Sequence, residues 1–99
     1  MKIRFPRTAQ LELDDAVLYY NAQRAGLGYE PLSEVFSTID RIKRFPQAWP
    51  FFHMDTRRCF VRRFPYGVIY KQIDDLTLIV AIANLHRKPD HWINRLKKK

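Results

Sequence analysis

Three strand-like segments in the second half of the sequence constrain the fold most. They cover residues 57–64, 67–73 and 76–85, and only Pro65-Tyr66 and Asp74-Asp75 separate them. Connections this short join strands as antiparallel hairpins, so the sequence predicts a three-stranded antiparallel meander. The third segment, LTLIVAIANL, is almost continuously apolar. This pattern predicts the strand at the centre of the sheet, with both faces covered.

The first half predicts one strand and two helices. Residues 1–6 alternate apolar and basic side chains, as in a short edge strand ended by proline. Apolar residues at helical spacing then predict amphipathic helices between Thr8 and Gly26 and from Pro31 to just before Pro46. Residues 46–50 form a rigid connector with nearby aromatic side chains, which we expect to close the core. A short helix over 89–96 follows the meander.

These elements predict a single α+β domain spanning residues 1–99. The apolar faces of two helices need a partner, so we expect the helical hairpin on one face of a four-stranded sheet. The opposite face is then expected to carry the basic side chains. The lone cysteine, Cys59, is expected to be a small core residue.

The charges are unevenly distributed along the chain. Eighteen Lys and Arg against ten Asp and Glu give a net charge of +8, which divides into −2 over residues 1–40 and +10 over residues 41–99. This surplus favours a polyanion or an acidic protein as partner. One cysteine excludes an internal disulfide, and neither a signal peptide nor an apolar run of about 20 residues is apparent. We therefore expect a cytoplasmic protein without a membrane partner.

A cluster of basic residues on the predicted hairpin is the first candidate site. It consists of Arg57, Arg58, Arg62, Arg63 and Lys71. Alternation along a strand would place Arg57 and Arg63 on the face of Cys59, and Arg58 and Arg62 on the other. Guanidinium groups suit phosphate or carboxylate ligands. The alternative is a solvated face that keeps the protein soluble.

The second candidate site is the segment HRKPDHW, residues 86–92, directly after the apolar strand. His86 and His91 could serve as general base and acid in RNA cleavage without a metal, since imidazole titrates near neutral pH. Structural roles for both histidines are the alternative. Their spacing fits no common zinc motif, and no Gly-rich phosphate loop occurs. We therefore expect neither a metal nor a cofactor.

Four strings, spread over most of the chain in order, resemble the RelE/ParE superfamily of bacterial toxin–antitoxin systems. They are LDDAVLYYNAQRAGLG, VFSTIDRIKRFPQAWP, RRCFVRRFPYGVIY and IANLHRKPDHW. The resemblance implies a small cytoplasmic toxin of the plasmid stabilisation type, which inhibits growth until a cognate antitoxin neutralises it in a hetero-oligomer. The residues that it implies for contact with target or antitoxin are Arg57, Arg58, Arg62, Arg63, Lys71, Arg87, Lys88, Trp92 and Arg95.

The superfamily divides by target. RelE-like members cleave mRNA on the ribosome with basic side chains and often a C-terminal tyrosine, whereas ParE-like members block DNA gyrase. Arg87 matches a basic position of the RNA-cleaving members. Gly67 replaces an arginine that those members tend to have, and Trp92 or Ile93 stands where the tyrosine would be.

Two of the three groups expected in RNA-cleaving members are therefore missing, and this favours a ParE-like toxin that binds gyrase. One alternative is a ribosome-dependent endoribonuclease that uses Arg63, His86, Arg87 and His91. A second alternative is an inactive or merely nucleic-acid-binding relative.

Overall fold

The computed structural model describes residues 2–88 and 90–97, and only the backbone of residues 90, 91 and 97. The elements in chain order are β1 (Lys2–Arg4), α1 (Arg7–Gln23), α2 (Tyr29–Arg44), β2 (Phe51–His53), β3 (Thr56–Phe60), β4 (Tyr66–Ile73), β5 (Leu76–Asn84) and α3 (Asp90–Lys97). The predicted α+β class and the order of strand, two helices, meander and short helix are confirmed.

The sheet has five strands in the order β1-β5-β4-β3-β2, where four were predicted. The extra strand is β2, which begins directly after the predicted connector of residues 46–50 and was not predicted as a strand. It pairs antiparallel with β3 through a tight turn at Met54, whose φ is 52°. The predicted meander β3-β4-β5 is confirmed. The central position belongs to β4, however, because β2 adds a strand on the far side.

The first strand closes the other edge of the sheet only in part. β1 runs parallel to β5 and pairs with it from Leu76 to Leu78. The remainder of β5, up to Asn84, has no strand beside it on that side within the described residues. The backbone groups on this edge of β5 therefore need other partners.

Both long helices pack on one face of the sheet, as predicted. Their apolar stripes are buried with one face of β3, β4 and β5 in a single core that includes Leu13, Val35, Ile42, Cys59, Val68, Tyr70, Ile79 and Ile82. The connection between the helices is tight at Gly28, where an added Cβ would lie 2.4 Å from the carbonyl oxygen of Val17. Only glycine allows this approach of α2 to α1.

Helix α3 packs on the opposite face and forms a second, smaller core. Trp92 is 1% exposed there and clusters with Ile69, Val80, Ala81 and Ala83. The face that was predicted to carry the basic side chains is therefore partly apolar and covered. None of the helices in the described part of the chain is long and apolar enough to span a membrane.

Candidate functional site

The structure separates the basic residues that the sequence placed on one hairpin. β3 ends at Phe60, so Arg62 and Arg63 lie in the connection to β4, and their assignment to alternate strand faces is wrong. Arg63 has a φ of 71°, in the left-handed region, which is incompatible with an extended strand. Arg57 and Arg58 do lie in β3, with Arg57 on the side of Cys59 and Arg58 on the other, as predicted.

Arg57 holds the connector between α2 and β2. Its Nη1 donates hydrogen bonds to the carbonyl oxygens of Trp49, at 2.6 Å, and Gln47, at 3.4 Å. Its Cζ lies 3.9 Å from the ring centroid of Phe51. Below it, the hydroxyl of Tyr70 donates to the Pro46 carbonyl at 2.6 Å. The guanidinium of Arg57 is thus already bound by two backbone carbonyls and an aromatic ring of the same chain.

Arg63 is paired with the carboxylates of α2. Its Nη2 bonds Glu30, and its Nη1 lies 3.4 Å from Glu34. The hydrogen bond that Arg63 donates to the Glu30 carboxylate is the main reason why the pKa of the Arg63 guanidinium is raised. The charge of Arg63 is therefore compensated, in contrast to that of Arg62, which is exposed and makes no ion pair among the described residues.

Arg58 is stacked between two partly exposed aromatic rings. Its Cζ lies 3.8 Å from the ring centroid of Phe52 and 4.6 Å from that of Phe60. Its methylene groups pass over Gly67 of the neighbouring strand, where an added Cβ would meet Arg58 Cγ at 3.3 Å. The absence of a side chain at Gly67 makes room for Arg58 in this position.

Arg58 and Arg87 line one small cavity at the end of the sheet. We call it the arginine pocket; it has a volume of about 150 Å³ and is lined by Phe52, Arg58, Ile69, Ala83, Asn84, Leu85, Arg87 and Trp92. The Trp92 ring lies 5.8 Å from that of Phe52 and 6.1 Å from that of His53. Two guanidinium groups and no carboxylate in this lining favour an anionic group beside an aromatic one.

A second cavity lies between α1 and the uncovered edge of β5. Its volume is about 480 Å³, and its lining includes Asp15, Tyr19, Tyr20, Tyr66, His86 and Arg87. We call it the tyrosine cleft. Arg87 therefore belongs to both cavities, whereas His86 belongs only to this one. His86 is exposed in the turn after β5, where its backbone N–H donates to Asn84 Oδ1 at 2.9 Å.

The other predicted residues have varied surroundings. Lys71 pairs with Asp55 at 3.3 Å, and Lys88 is exposed after Arg87. Arg95 makes a two-pronged ion pair with Glu12, at 2.8 and 3.2 Å, and donates to the Val80 carbonyl at 3.0 Å. His86 and His91 were predicted to act together as general base and acid. The side chain of His91 lies outside the described residues, so the structure gives no distance between the two rings.

The tyrosine cleft contains two phenols with perturbed pKa values: burial is the main reason why the pKa of Tyr20 and the pKa of Tyr66 are raised. Burial raises the pKa of the Cys59 thiol and the pKa of Tyr70, the latter to about 12, but both lie in the core beneath the helices. Within residues 2–88 and 90–97, no three His, Cys, Asp or Glu side chains are close enough to hold a metal ion.

Sequence reasoning missed the aromatic partners of both cavities. Phe52 was expected to help close the core, and Phe60 was given no role. Both rings are instead partly exposed to solvent and lie on either side of the Arg58 guanidinium. Tyr19 and Tyr20 lay within a predicted helix, and Tyr66 lay in a predicted turn. A signal for Phe52 was available, because it occurs six residues before Arg58 across a two-residue turn.

Comparison with known proteins identifies the fold. No protein-family model matches the chain, and no curated protein matches it. Among solved structures, a chain described as "Chromosomal ParDE TA system from P. aeruginosa" is similar, with a TM-score of 0.78 and 13% sequence identity; the match covers 86% of this chain and 96% of that one. The chain has the fold of that ParDE component. At 13% identity this likeness shows the fold alone, and that fold agrees with the α+β class expected from the sequence.

Proposed function

We propose that this chain is the toxin of a bacterial type II toxin–antitoxin module, acts in the cytoplasm and is neutralised by a cognate antitoxin. The observation that carries the proposal is the agreement in fold with a chain of a ParDE toxin–antitoxin system over 96% of that chain's length. The charge of +10 over residues 41–99 supports it, because an acidic antitoxin segment would find a complementary surface.

We propose further that the toxin stops growth by binding DNA gyrase, as ParE-like proteins do. The support is the state of the arginine that a nuclease mechanism would require. Arg63 is paired with Glu30 and Glu34 of α2, so it would have to leave these carboxylates to hold a phosphate. Trp92, near the position expected for a catalytic tyrosine, is buried in the core under α3.

Ribosome-dependent mRNA cleavage is the second candidate, and one observation favours it. RNA-cleaving relatives tend to have an arginine at the position of Gly67, and here the side chain of Arg58 passes over Gly67 and reaches the same cavity as Arg87. Two guanidinium groups at one cavity could bind an RNA phosphate. A proton donor and acceptor beside them would still be required.

Expression without an antitoxin is the first experiment. We expect growth arrest, relieved when the antitoxin encoded beside this chain is expressed with it. The exposed Arg44, which pairs with Asp40 and lines neither cavity, provides a control: Arg44→Ala should arrest growth like the parent. Continued growth with the parent chain present in folded form would contradict the toxin proposal and favour the inactive relative.

A pair of assays on the purified toxin separates the targets. Supercoiling of relaxed plasmid by gyrase should be inhibited at micromolar toxin, whereas primer extension on a translated message should show no new cuts. Codon-specific cuts that disappear in Arg58→Ala and Arg87→Ala, but persist in Arg44→Ala, would replace the gyrase proposal with the nuclease.

A further inference from the structure

The tyrosine cleft has the size and the position of a binding site. Its volume of about 480 Å³ lies within the range of about 300–1,000 Å³ that is typical of ligand pockets. One wall is α1 and the other is the edge of β5 beyond Leu78, where β1 no longer pairs. The nuclease alternative uses residues at the β5 end of this cleft, His86 and Arg87, and none of the α1 wall.

The edge of β5 inside the cleft is only partly satisfied by side chains. Glu12 Oε1 accepts a hydrogen bond from the Ile82 N–H at 3.0 Å, and Arg95 donates to the Val80 carbonyl. Both N–H and C=O of a strand residue point to the same edge, so the Ile82 carbonyl also faces this side. The cleft continues from there to Asn84. Backbone groups along a strand edge suit a peptide better than a compact small molecule.

The charges in the cleft are of opposite sign and stand apart. Asp15 on the α1 wall has no ion pair or hydrogen bond among the described residues, and neither does the guanidinium of Arg87 across from it. The two do not approach within the 4.0 Å of an ion pair. An occupant with a cation near Asp15 and an anion near Arg87 would satisfy both.

Aromatic rings surround the acidic end. Tyr19 and Tyr20 meet edge to face with centroids 5.0 Å apart, and Phe64 fixes Tyr20 from behind at 5.1 Å. Burial is the main reason why the pKa of Tyr66 is raised, followed by the proximity of Tyr20, Tyr19 and Asp15, so these groups are close together. Ring faces beside a carboxylate attract a cation.

We propose that a segment of the antitoxin inserts a Lys or Arg side chain between Asp15 and the tyrosine rings, and places an acidic side chain on Arg87. The inference rests on the proposed toxin function and adds how the antitoxin is recognised. On a chain with a net charge of +8, general attraction would bind an acidic segment in many registers. One basic side chain matched to one acidic wall selects a single register.

The test measures binding of the cognate antitoxin, which the proposed function requires, to two variants of equal charge. Asp15→Lys should weaken binding by about 10- to 100-fold, or about 1.4–2.7 kcal/mol, because an ion pair and a cation–π contact are lost and a repulsion is introduced. Asp14→Lys adds the same charge to the same helix turn, but Asp14 is bonded by Gln10 and does not line the cleft. It should bind like the parent. Circular dichroism confirms folding of both.

A second measurement identifies the inserted residue. A photo-crosslinking amino acid, p-benzoylphenylalanine, is introduced at Tyr19 in the cleft or at Leu11, which is exposed elsewhere on α1. The Tyr19 derivative should crosslink to an antitoxin peptide that contains Lys or Arg, and the Leu11 derivative should not. Replacing that basic residue by Glu should restore binding to Asp15→Lys.

The outcomes distinguish failure of this inference from failure of the proposed toxin function. If the antitoxin binds the parent and Asp15→Lys equally well, or if Tyr19 crosslinks to a peptide without a basic residue, the inference is wrong while the toxin proposal stands. If the antitoxin does not bind the parent chain at all, both are wrong. Weakened binding of Asp15→Lys that equals the loss in Asp14→Lys also overturns the inference, because it reflects charge alone.

Discussion

The ion pair of Glu12 with Arg95 should contribute far more to stability than a surface pair of similar geometry. It joins α1 to α3 across the edge of β5, through bonds of 2.8 and 3.2 Å, and both side chains are largely buried, with 16% and 27% exposed. Removing one partner of a buried pair leaves the other charge uncompensated, which costs about 3–5 kcal/mol when burial is complete.

We expect Arg95→Met to lower the free energy of unfolding by about 2 kcal/mol, after allowance for the partial exposure of the pair. Methionine keeps most of the apolar length of the arginine, so the loss is mainly that of the guanidinium. Glu12 then keeps its bond from the Ile82 N–H, but the Val80 carbonyl loses its donor. For a domain of this size, the loss corresponds to a Tm about 10 °C lower.

The measurement is urea unfolding at 25 °C with Arg44→Met as the matched control. Arg44 pairs with Asp40 at 3.1 Å, but the two side chains are 69% and 54% exposed, so this variant should cost less than about 0.5 kcal/mol. The double variant Glu12→Gln/Arg95→Met should be less destabilised than the sum of its single changes. Equal losses for Arg95→Met and Arg44→Met would refute the role of burial in this argument.

Three further predictions concern the core. Gly28→Ala should lower the unfolding free energy by about 2 kcal/mol in a urea titration, because its Cβ would overlap the Val17 carbonyl although φ is an ordinary −63°. Since burial raises the pKa of Tyr70 to about 12 from 10.0 in the unfolded chain, stability is fully present below pH 10 and should fall by up to about 2 kcal/mol as the pH rises to 12; Tyr70→Phe should remove most of this slope. The buried Cys59 thiol, whose pKa burial raises, should react with a thiol reagent at least about tenfold more slowly in the native protein than in urea; equal rates would contradict its burial.

The meander was predictable because its determinants are local in sequence. Two-residue breaks leave only hairpins between neighbouring strands, and the structure shows β4 paired with β3 and β5 as that argument requires. The helical hairpin was predictable for a similar reason, since apolar spacing fixes the buried face of each helix. Strand β2 was not predicted from the sequence. It has only three residues, which follow Pro50 and precede the turn at Met54, and three residues are too few to show the alternation of a strand.

The candidate site was predictable in composition but not in arrangement. Sequence identified Arg58 and Arg87 as candidate anion ligands, and the arginine pocket unites them. It also grouped Arg57 and Arg63 with them, yet Arg57 bonds the connector and Arg63 bonds α2. The carboxylates that neutralise Arg63 lie 29 and 33 residues away along the chain, and no local pattern indicates such partners.

The sequence alone determined the class of the fold, the meander and the surplus of positive charge, because turns, periodicity and composition are properties of neighbouring residues. Only the tertiary structure decided which charges are already compensated and which remain for a partner. It paired Arg95 with Glu12 across 83 residues and left Asp15 and Arg87 facing one cleft. Packing brings distant side chains within a few ångströms of each other, and at these distances the pairing of charges is decided.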